Sequence, residues 1–322
     1  MCTTIGFSYS EGIVFGRTLE MGVTLDNHMT YIPKDYAGFI KTKDTDYASK
    51  YAVIGTGFLK LPSLGDGINE MGLMGSNNLL PGYATFSEKE VKGKINLTTA
   101  NAFNYLLSRC KDVEKVKNEA NKIAIVKHGE AKDDMSISMH FFFKDAKGRG
   151  IVLEPKDGKL LIYDNPYGVL TNAPEFPWHV TNLKNYINLQ PENVEERNFN
   201  GIAVSKFGEG SGLIGLPGDF TPPSRFIRAA YFVSNTPKDL ERQSAILQAF
   251  RILSQADIPT GAVIDPQEGN DDETLYTAVM DTHKKAYFVK CHDNINIQPF
   301  YLDDYKNEKE IKFIELKKHM TL

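Results

Sequence analysis

The sequence predicts a layered α+β protein, and three observations predict it. Strand-like runs come in neighbouring pairs joined by short turns, helical periodicity is grouped between those pairs, and no linker, repeat or low-complexity tract divides the 322 residues. One domain spanning 1–322 is the expectation, without the regular alternation of a parallel βαβ array. Thr3–Tyr9 and Gly12–Thr18 read as a hairpin turning at Ser10-Glu11-Gly12. Tyr51–Thr56, Met135–Phe143, Ile151–Glu154, Lys159–Tyr163, Thr274–Asp281 and Lys285–His292 are further strand-like runs. Lys144–Gly148, Pro155–Gly158 and Thr282–Lys284 supply the turn residues between several of them. Helical spacing marks Thr98–Arg109 and Asp112–Ile123; in the second, Asp112 is the N-cap and Val113, Val116, Ala120 and Ile123 share a face. Ser224–Val233 and Asp239–Gln255 are the later helices.

A composition of 41% hydrophobic and 24% charged residues is that of a globular chain with a sizeable core. The net charge of -4 argues against nucleic acid or an anionic membrane as partner. No stretch reaches the ~18 apolar residues needed to cross a bilayer, and no targeting signal opens the chain, so a cytoplasmic location is expected. The three cysteines, Cys2, Cys110 and Cys291, contain no C-x-x-C pair, which excludes a disulfide framework and a structural zinc site. Cys110 and Cys291 read as buried apolar filler. The histidines show no metal-ligand spacing; His140 and His179 read as packing or hydrogen-bonding residues. Gly208-Glu209-Gly210-Ser211-Gly212 lacks the Gly-Lys-Ser/Thr ending of a phosphate loop, and no cofactor or metal is called for.

Cys2 is the residue with chemistry in it. Removal of Met1 leaves a cysteine with a thiol and a free α-amine on one carbon. The thiol titrates near ~8.5 and the amine near ~8, so the amine can take the thiol proton and release the thiolate nucleophile. Arg17 and Glu20, in Gly16-Arg17-Thr18-Leu19-Glu20, lie one hairpin arm away and are candidates to stand beside the amine and thiol. Three Gly/Asn/Pro-rich stretches accompany them: Asp66-Gly67-Ile68-Asn69-Glu70-Met71-Gly72-Leu73, Leu170-Thr171-Asn172-Ala173-Pro174, and Gly215-Leu216-Pro217-Gly218-Asp219-Phe220 continuing through Thr221-Pro222-Pro223-Ser224-Arg225-Phe226.

Together with Trp178-His179-Val180-Thr181-Asn182-Leu183, these segments resemble, in order, the choloylglycine hydrolase family, from Met1-Cys2-Thr3 to about Pro299. The family comprises penicillin V acylases and conjugated bile salt hydrolases with N-terminal nucleophiles. The resemblance implies a four-layer αββα sandwich of two antiparallel sheets and a homo-oligomer, dimer or tetramer. It implies Cys2 as nucleophile with its own amine as base, Arg17 beside the thiol, Asn172 as oxyanion donor and Arg225 near the nucleophile. Arg228, one turn later, reads as structural. Glu20 stands where the family usually has Asp to bind the α-amine; its extra methylene shifts the reach by about 1.5 Å. Leu79, beside Asn78, falls where bile salt hydrolases commonly have Asn and penicillin V acylases Tyr; a leucine there still offers its backbone N–H to the oxyanion but removes any side-chain contact to substrate.

Arg17-Thr18, Gly218–Pro223 and Ile258–Val263 resemble the penicillin V acylase-like branch more than the bile salt branch. The leading expectation is therefore a penicillin V acylase-like hydrolase of a linear C–N amide, with conjugated bile salt hydrolase as the alternative and a catalytically weak acyl-amide binder below both. The substrate is expected to be a small acyl amide with an apolar acyl group. Loops around Met21, Phe58–Leu61 and Ala131–Met135 are candidates for its walls, with Met21, Phe58, Leu61 and Met135 as the named side chains.

Overall fold

The computed structural model describes residues 1–23, 25–42, 45–127, 137–264 and 269–320. The chain opens with β1 (Cys2–Tyr9), β2 (Gly12–Met21), β3 (Asn27–Ile32), β4 (Val53–Phe58), β5 (Asp66–Asn69), β6 (Met74–Leu79) and β7 (Ile95–Leu97). Helices α1 (Thr99–Arg109) and α2 (Val113–Ala120) follow, then β8 (Ile123–Ile125), β9 (Met139–Lys144), β10 (Gly150–Lys156), β11 (Lys159–Asp164) and β12 (Val169–Leu170). After α3 (Phe176–Leu183) come β13 (Glu196–Phe199), β14 (Ile202–Ser205), α4 (Pro222–Ser234) and α5 (Arg242–Leu253). The last elements are β15 (Glu273–Asp281), β16 (Ala286–Cys291), β17 (Asn294–Tyr301) and β18 (Lys312–Glu315).

Two antiparallel sheets lie face to face. One runs β12-β1-β2-β15-β16-β17 and the other β11-β10-β9-β6-β5-β4-β3-β18. Phe15 of the first sheet meets Phe142 of the second with ring centroids 5.0 Å apart, inside a core that also holds Ile54, Met74 and Val152. Helices α4 and α5 cover the outer face of the first sheet, against β1, β2 and β15. Helix α1 covers the other sheet over β5, β6 and β9, where Phe103 packs between Phe141 and Phe143. The order is helix, sheet, sheet, helix: the αββα sandwich that the resemblance implies.

Strand alternation aims the site. In the β1–β2 hairpin, Cys2 pairs with Leu19 and Thr4 with Arg17. The even residues of β1 and odd residues of β2 therefore face the second sheet, where Thr4 Oγ1 lies 2.8 Å from Ser76 Oγ and donates to Asn78 Oδ1 at 3.0 Å. The opposite faces look toward α4 and α5. Gly16 is required there: a Cβ would stand 2.7 Å from the Ala278 carbonyl and 2.9 Å from Leu253 on α5.

Several expected boundaries shift. The expected strand at Met135–Phe143 begins at Met139; its first residues up to 136 lie outside the described residues. The Asp112 carboxylate caps α2 as expected, accepting from the Lys115 N–H at 2.9 Å. That helix stops at Ala120 because Ile123 enters a parallel ladder opposite Ile95. Helix α5 starts at Arg242 rather than Asp239, since the Leu240 carbonyl is held by the hairpin turn, accepting from Ser10 Oγ at 2.7 Å. The Asp66–Gly72 block, turn material by composition, is β5 and a turn leading into β6. Glycine weakens strand propensity but is needed here: a Cβ on Gly67 would lie 2.6 Å from the Ile54 carbonyl.

Candidate active site

Cys2 lies at the free end of β1, buried under the second sheet on one side and α4 on the other. Its Sγ accepts a hydrogen bond from Arg17 Nη2 at 3.2 Å. The register explains the meeting, for Arg17 sits diagonally across the ladder on the face that Cys2 uses. Arg17 is itself buried, and its Nη1 donates to the Gly65 carbonyl at 2.9 Å and to Asp66 Oδ2 at 3.4 Å.

Asn172 arrives just after β12, the strand that pairs with β1. Its Oδ1 accepts from the Cys2 backbone N–H at 2.9 Å and from Arg225 Nη2 at 2.8 Å. These two donors set the amide's orientation, so Nδ2 points the other way and donates to the Leu79 carbonyl at 2.9 Å. Its second hydrogen has no hydrogen-bond partner among the described residues. Arg225 projects from the first turn of α4, whose start is set by Pro222 and Pro223. Its Nη1 donates to the Cys2 carbonyl at 2.6 Å and to Thr3 Oγ1 at 2.7 Å, while Nε donates to the Phe220 carbonyl at 2.8 Å. Arg228 instead donates to the carbonyls of Pro217, Asp219 and Gln255, holding the loop before the helix as expected.

Glu20 lies on the opposite face of β2 from Arg17, because residues three apart in a strand point to opposite sides. The two stand near Cys2 without pairing to each other. The Glu20 carboxylate is fully buried and has no hydrogen-bond partner among the described residues. Its own backbone carbonyl accepts from the Met1 amino group. Arg225 is the cation that feels it: burial presses the Arg225 guanidinium downward, and the Glu20 charge is first among the groups that oppose this.

Leu79 closes β6. The Leu80 N–H donates to the Ser138 carbonyl and the Asn77 N–H to that of Gly65, so alternation turns the Leu79 N–H away from β9. Asn78 is fully buried. It accepts from Thr4 and donates to the Thr171 carbonyl at 2.9 Å, tying β6 to the Asn172 segment. Of the proposed walls, Met21 and Phe58 are partly buried against the core, and the Phe58 ring lies 6.4 Å from that of Tyr276. Leu61 is exposed and lines a cavity of about 1170 Å³ with Ile137 and Leu97. Met135 lies outside the described residues.

Two histidines stand behind Asn172. His140 Nε2 donates to the Thr171 carbonyl at 3.1 Å while Nδ1 lies 3.0 Å from Glu154 Oε1. His179 Nε2 donates to the Asn172 carbonyl at 2.9 Å, its ring stacked on Phe226 at 4.9 Å. Burial pushes His179 down to about 4, against the hydrogen bond that the Asn172 carbonyl accepts. The unfolded chain takes up this proton near ~6.5. Between the two values the unfolded state binds more protons, so folding stability falls as pH drops from about 6.5 to 4. The loss expected from this residue approaches about 3 kcal/mol. Urea unfolding at pH 7 and 4.5 checks it: His179→Gln should show a clearly smaller gap than the parent protein, and an equal gap removes His179 as the cause.

Three site residues carry no role in the sequence reading: Asp66, Tyr276 and Tyr287. Both phenols donate to the Asp66 carboxylate, at 2.6 and 2.5 Å, behind Arg17. Asp66 opens the Asp-Gly-Ile-Asn-Glu block, so a signal was present for it. Neither tyrosine stands out within its strand. Among the described residues no group of three or more His, Cys, Asp or Glu could hold a metal ion.

A buried thiol at the free end of a strand, inside an αββα sandwich, places the chain in the class of N-terminal nucleophile hydrolase folds. The signature of the linear amide C–N hydrolases, choloylglycine hydrolase family, matches residues 2–312, and the chain belongs to that family. It is 31% identical over 326 residues to a bile salt hydrolase/transferase from Clostridium perfringens, covering 100% of this chain and 99% of that one. A conjugated bile acid hydrolase from Lactobacillus acidophilus is 32% identical over 308 residues, with 95% and 97% covered. A solved variant of conjugated bile acid hydrolase from Clostridium perfringens superposes with a TM-score of 0.92 at 30% identity, covering 100% and 99%. A penicillin V acylase from Pectobacterium atrosepticum is 25% identical over 312 residues and is covered over 76% of its length.

Proposed function

We propose that this linear amide hydrolase cleaves conjugated bile salts, releasing the amino acid from the steroid acyl group. What carries the reading is full-length similarity above 30% to bile salt hydrolases, against 25% and partial coverage for penicillin V acylase. The penicillin V acylase-like expectation from Arg17-Thr18 and the proline-rich loop gives way to its alternative.

With Met1 removed, the Cys2 nitrogen at 2.9 Å from Asn172 Oδ1 becomes an α-amine within reach of its own thiol. The buried Glu20 carboxylate, unpaired among the described residues, is the counter-charge for its ammonium form. The amine takes the thiol proton, Arg17 holds the thiolate, and the sulfur attacks the amide carbonyl. The free hydrogen of Asn172 Nδ2 and the Leu79 N–H hold the oxyanion. The ammonium then protonates the leaving amine, and water, with the amine as base, cleaves the thioester. Arg225 holds the Cys2 carbonyl and Asn172 in place throughout. No step needs a cofactor.

The β13–β14 hairpin supports a homo-oligomer: its residues are exposed, Phe199 and Ile202 among them, and such a patch marks a contact surface. No described helix is long and apolar enough to cross a membrane.

Amine release from glycocholate and penicillin V, measured side by side, tests the substrate. A kcat/KM at least about tenfold higher for glycocholate, which is about 1.4 kcal/mol of transition-state preference, is the expected result. Preference for penicillin V restores the other branch, and cleavage of neither points to a different acyl amide.

A further inference from the structure

The guanidinium that meets the Cys2 sulfur does not stand alone. Arg17 is held at its far end by the Gly65 carbonyl at 2.9 Å, with Asp66 Oδ2 farther off at 3.4 Å. Charge-assisted N–H···O bonds run at about 2.7–2.9 Å, so this buried ion pair is long. The phenols hold the same carboxylate closely. Tyr276 donates to Oδ2 at 2.6 Å and Tyr287 to Oδ1 at 2.5 Å, the ordinary length for O–H···O⁻ bonds. Thr56 Oγ1, 2.5 Å from the Tyr287 oxygen, donates to it and completes the chain. The Tyr276 ring lies under the guanidinium, its centroid 5.7 Å from Cζ.

We propose that Asp66, drawn back by the hydroxyls of Tyr276 and Tyr287, is a positioning residue that sets Arg17 on the Cys2 thiol and leaves that cation's charge to the sulfur. A carboxylate this near would compete with the thiolate for Arg17. Two strong donors on its far side take up that negative charge, and the ion pair stays loose. Burial pushes both phenols far above their usual range, with Asp66 adding to the shift, so they remain donors throughout the assay pH. Burial also pushes Asp66 upward, and Arg17 and the two phenols oppose it. Every described hydrogen-bonding group that meets its oxygens is a donor, which is the surrounding of a carboxylate. The charged and titratable groups around the thiol are then the α-amine of Cys2 itself, Arg17 and Glu20 from β2, Asp66 from β5, Arg225 from α4, and Tyr276 and Tyr287 from β15 and β16.

This inference rests on Cys2 being the nucleophile, and its main readout, alkylation, is independent of the substrate. The test is the pH dependence of iodoacetamide alkylation at Cys2, followed by mass analysis of the N-terminal peptide. Tyr276→Phe frees a lone pair on Asp66 Oδ2, the oxygen that faces Arg17, and Tyr287→Phe frees one on Oδ1 and leaves more of the carboxylate charge to Arg17; in each the alkylation midpoint should rise by about half a pH unit or more. Tyr276→Phe keeps the ring beneath Arg17, so it isolates the hydroxyl. Asp66→Asn removes the competing charge together with the anchor. Its midpoint should fall, while kcat drops about tenfold with KM changed less than about threefold. A shared direction of shift in all three variants overturns the proposal, as does a lower kcat with alkylation profiles that superimpose on the parent. If Asp66→Asn fails to fold, the tyrosine variants decide alone, and unmoved midpoints in both overturn it. A parent protein whose Cys2 resists alkylation at every pH removes the nucleophile reading itself.

Discussion

Cys2→Ala should lower amide hydrolysis by about 10³-fold or more while leaving the protein folded. The thiol is the nucleophile in the proposed sequence, and no other described cysteine can replace it: Cys110 and Cys291 are buried, and burial pushes their thiols up to about 12 and about 11. Alanine keeps the β1–β2 ladder, since Cys2 pairs with Leu19 through its backbone. What is lost is the sulfur that accepts from Arg17 Nη2, and a buried guanidinium without that partner costs some stability. Cys2→Ser separates nucleophile from shape. A serine hydroxyl titrates far above a thiol, so Arg17 cannot bring it to the anion, and serine should be nearly as inactive as alanine. Product release should be followed after mass analysis has confirmed that Met1 is absent. A Cys2→Ala protein that retains a tenth of the parent rate would contradict the assignment.

Asn172→Ala should cost about 10²- to 10³-fold in kcat, the usual effect of removing one oxyanion donor. Stability should also fall, because the same amide accepts from the Cys2 N–H and Arg225 and donates to the Leu79 carbonyl. Partners left unsatisfied in a buried place cost about 1–3 kcal/mol each. Asn172→Asp separates the two effects. The remaining oxygen still meets Arg225 and Cys2, so those two contacts are kept, while the donor toward Leu79 and the oxyanion is gone and a carboxylate oxygen faces the Leu79 carbonyl, at some cost in stability. Activity should then be as low as in the alanine variant. If Asn172→Asp is stable and also active within about threefold of the parent, Asn172 is a scaffold residue only.

Much of the site was legible because its residues sit in short, dense motifs. Cys2, Arg17, Asn172 and Arg225 were each marked by immediate neighbours, and all four come together around one thiol. Glu20 shows the limit of that reading. It lies three residues from Arg17, yet strand geometry turns it to the other face, and Arg17 pairs with Asp66 instead. The Asp66–Asn69 strand was hidden by Gly67 and Asn69, which weaken strand propensity. Asn69 is kept because its side chain donates to the Leu107 and Cys110 carbonyls beneath α1. The penicillin V acylase-like preference is less well supported than its alternative for a related reason: a dipeptide and a loop composition weigh little against similarity along the whole chain.

The sequence by itself determined the elements whose signals are local: the opening hairpin, the Asp112 cap, the helix that begins near Ser224 and the cysteine beside the initiator methionine. These depend on dihedral preference, alternation and capping over a few residues. Tertiary structure alone decided which groups share the thiol. Cys2 meets Asn172 across 170 residues of chain and Arg225 across 223, and Tyr287 reaches Asp66 across 221. Packing one sheet against the other and α4 against the first makes those meetings, because a buried charge or carboxylate is stable only where the fold supplies its partners.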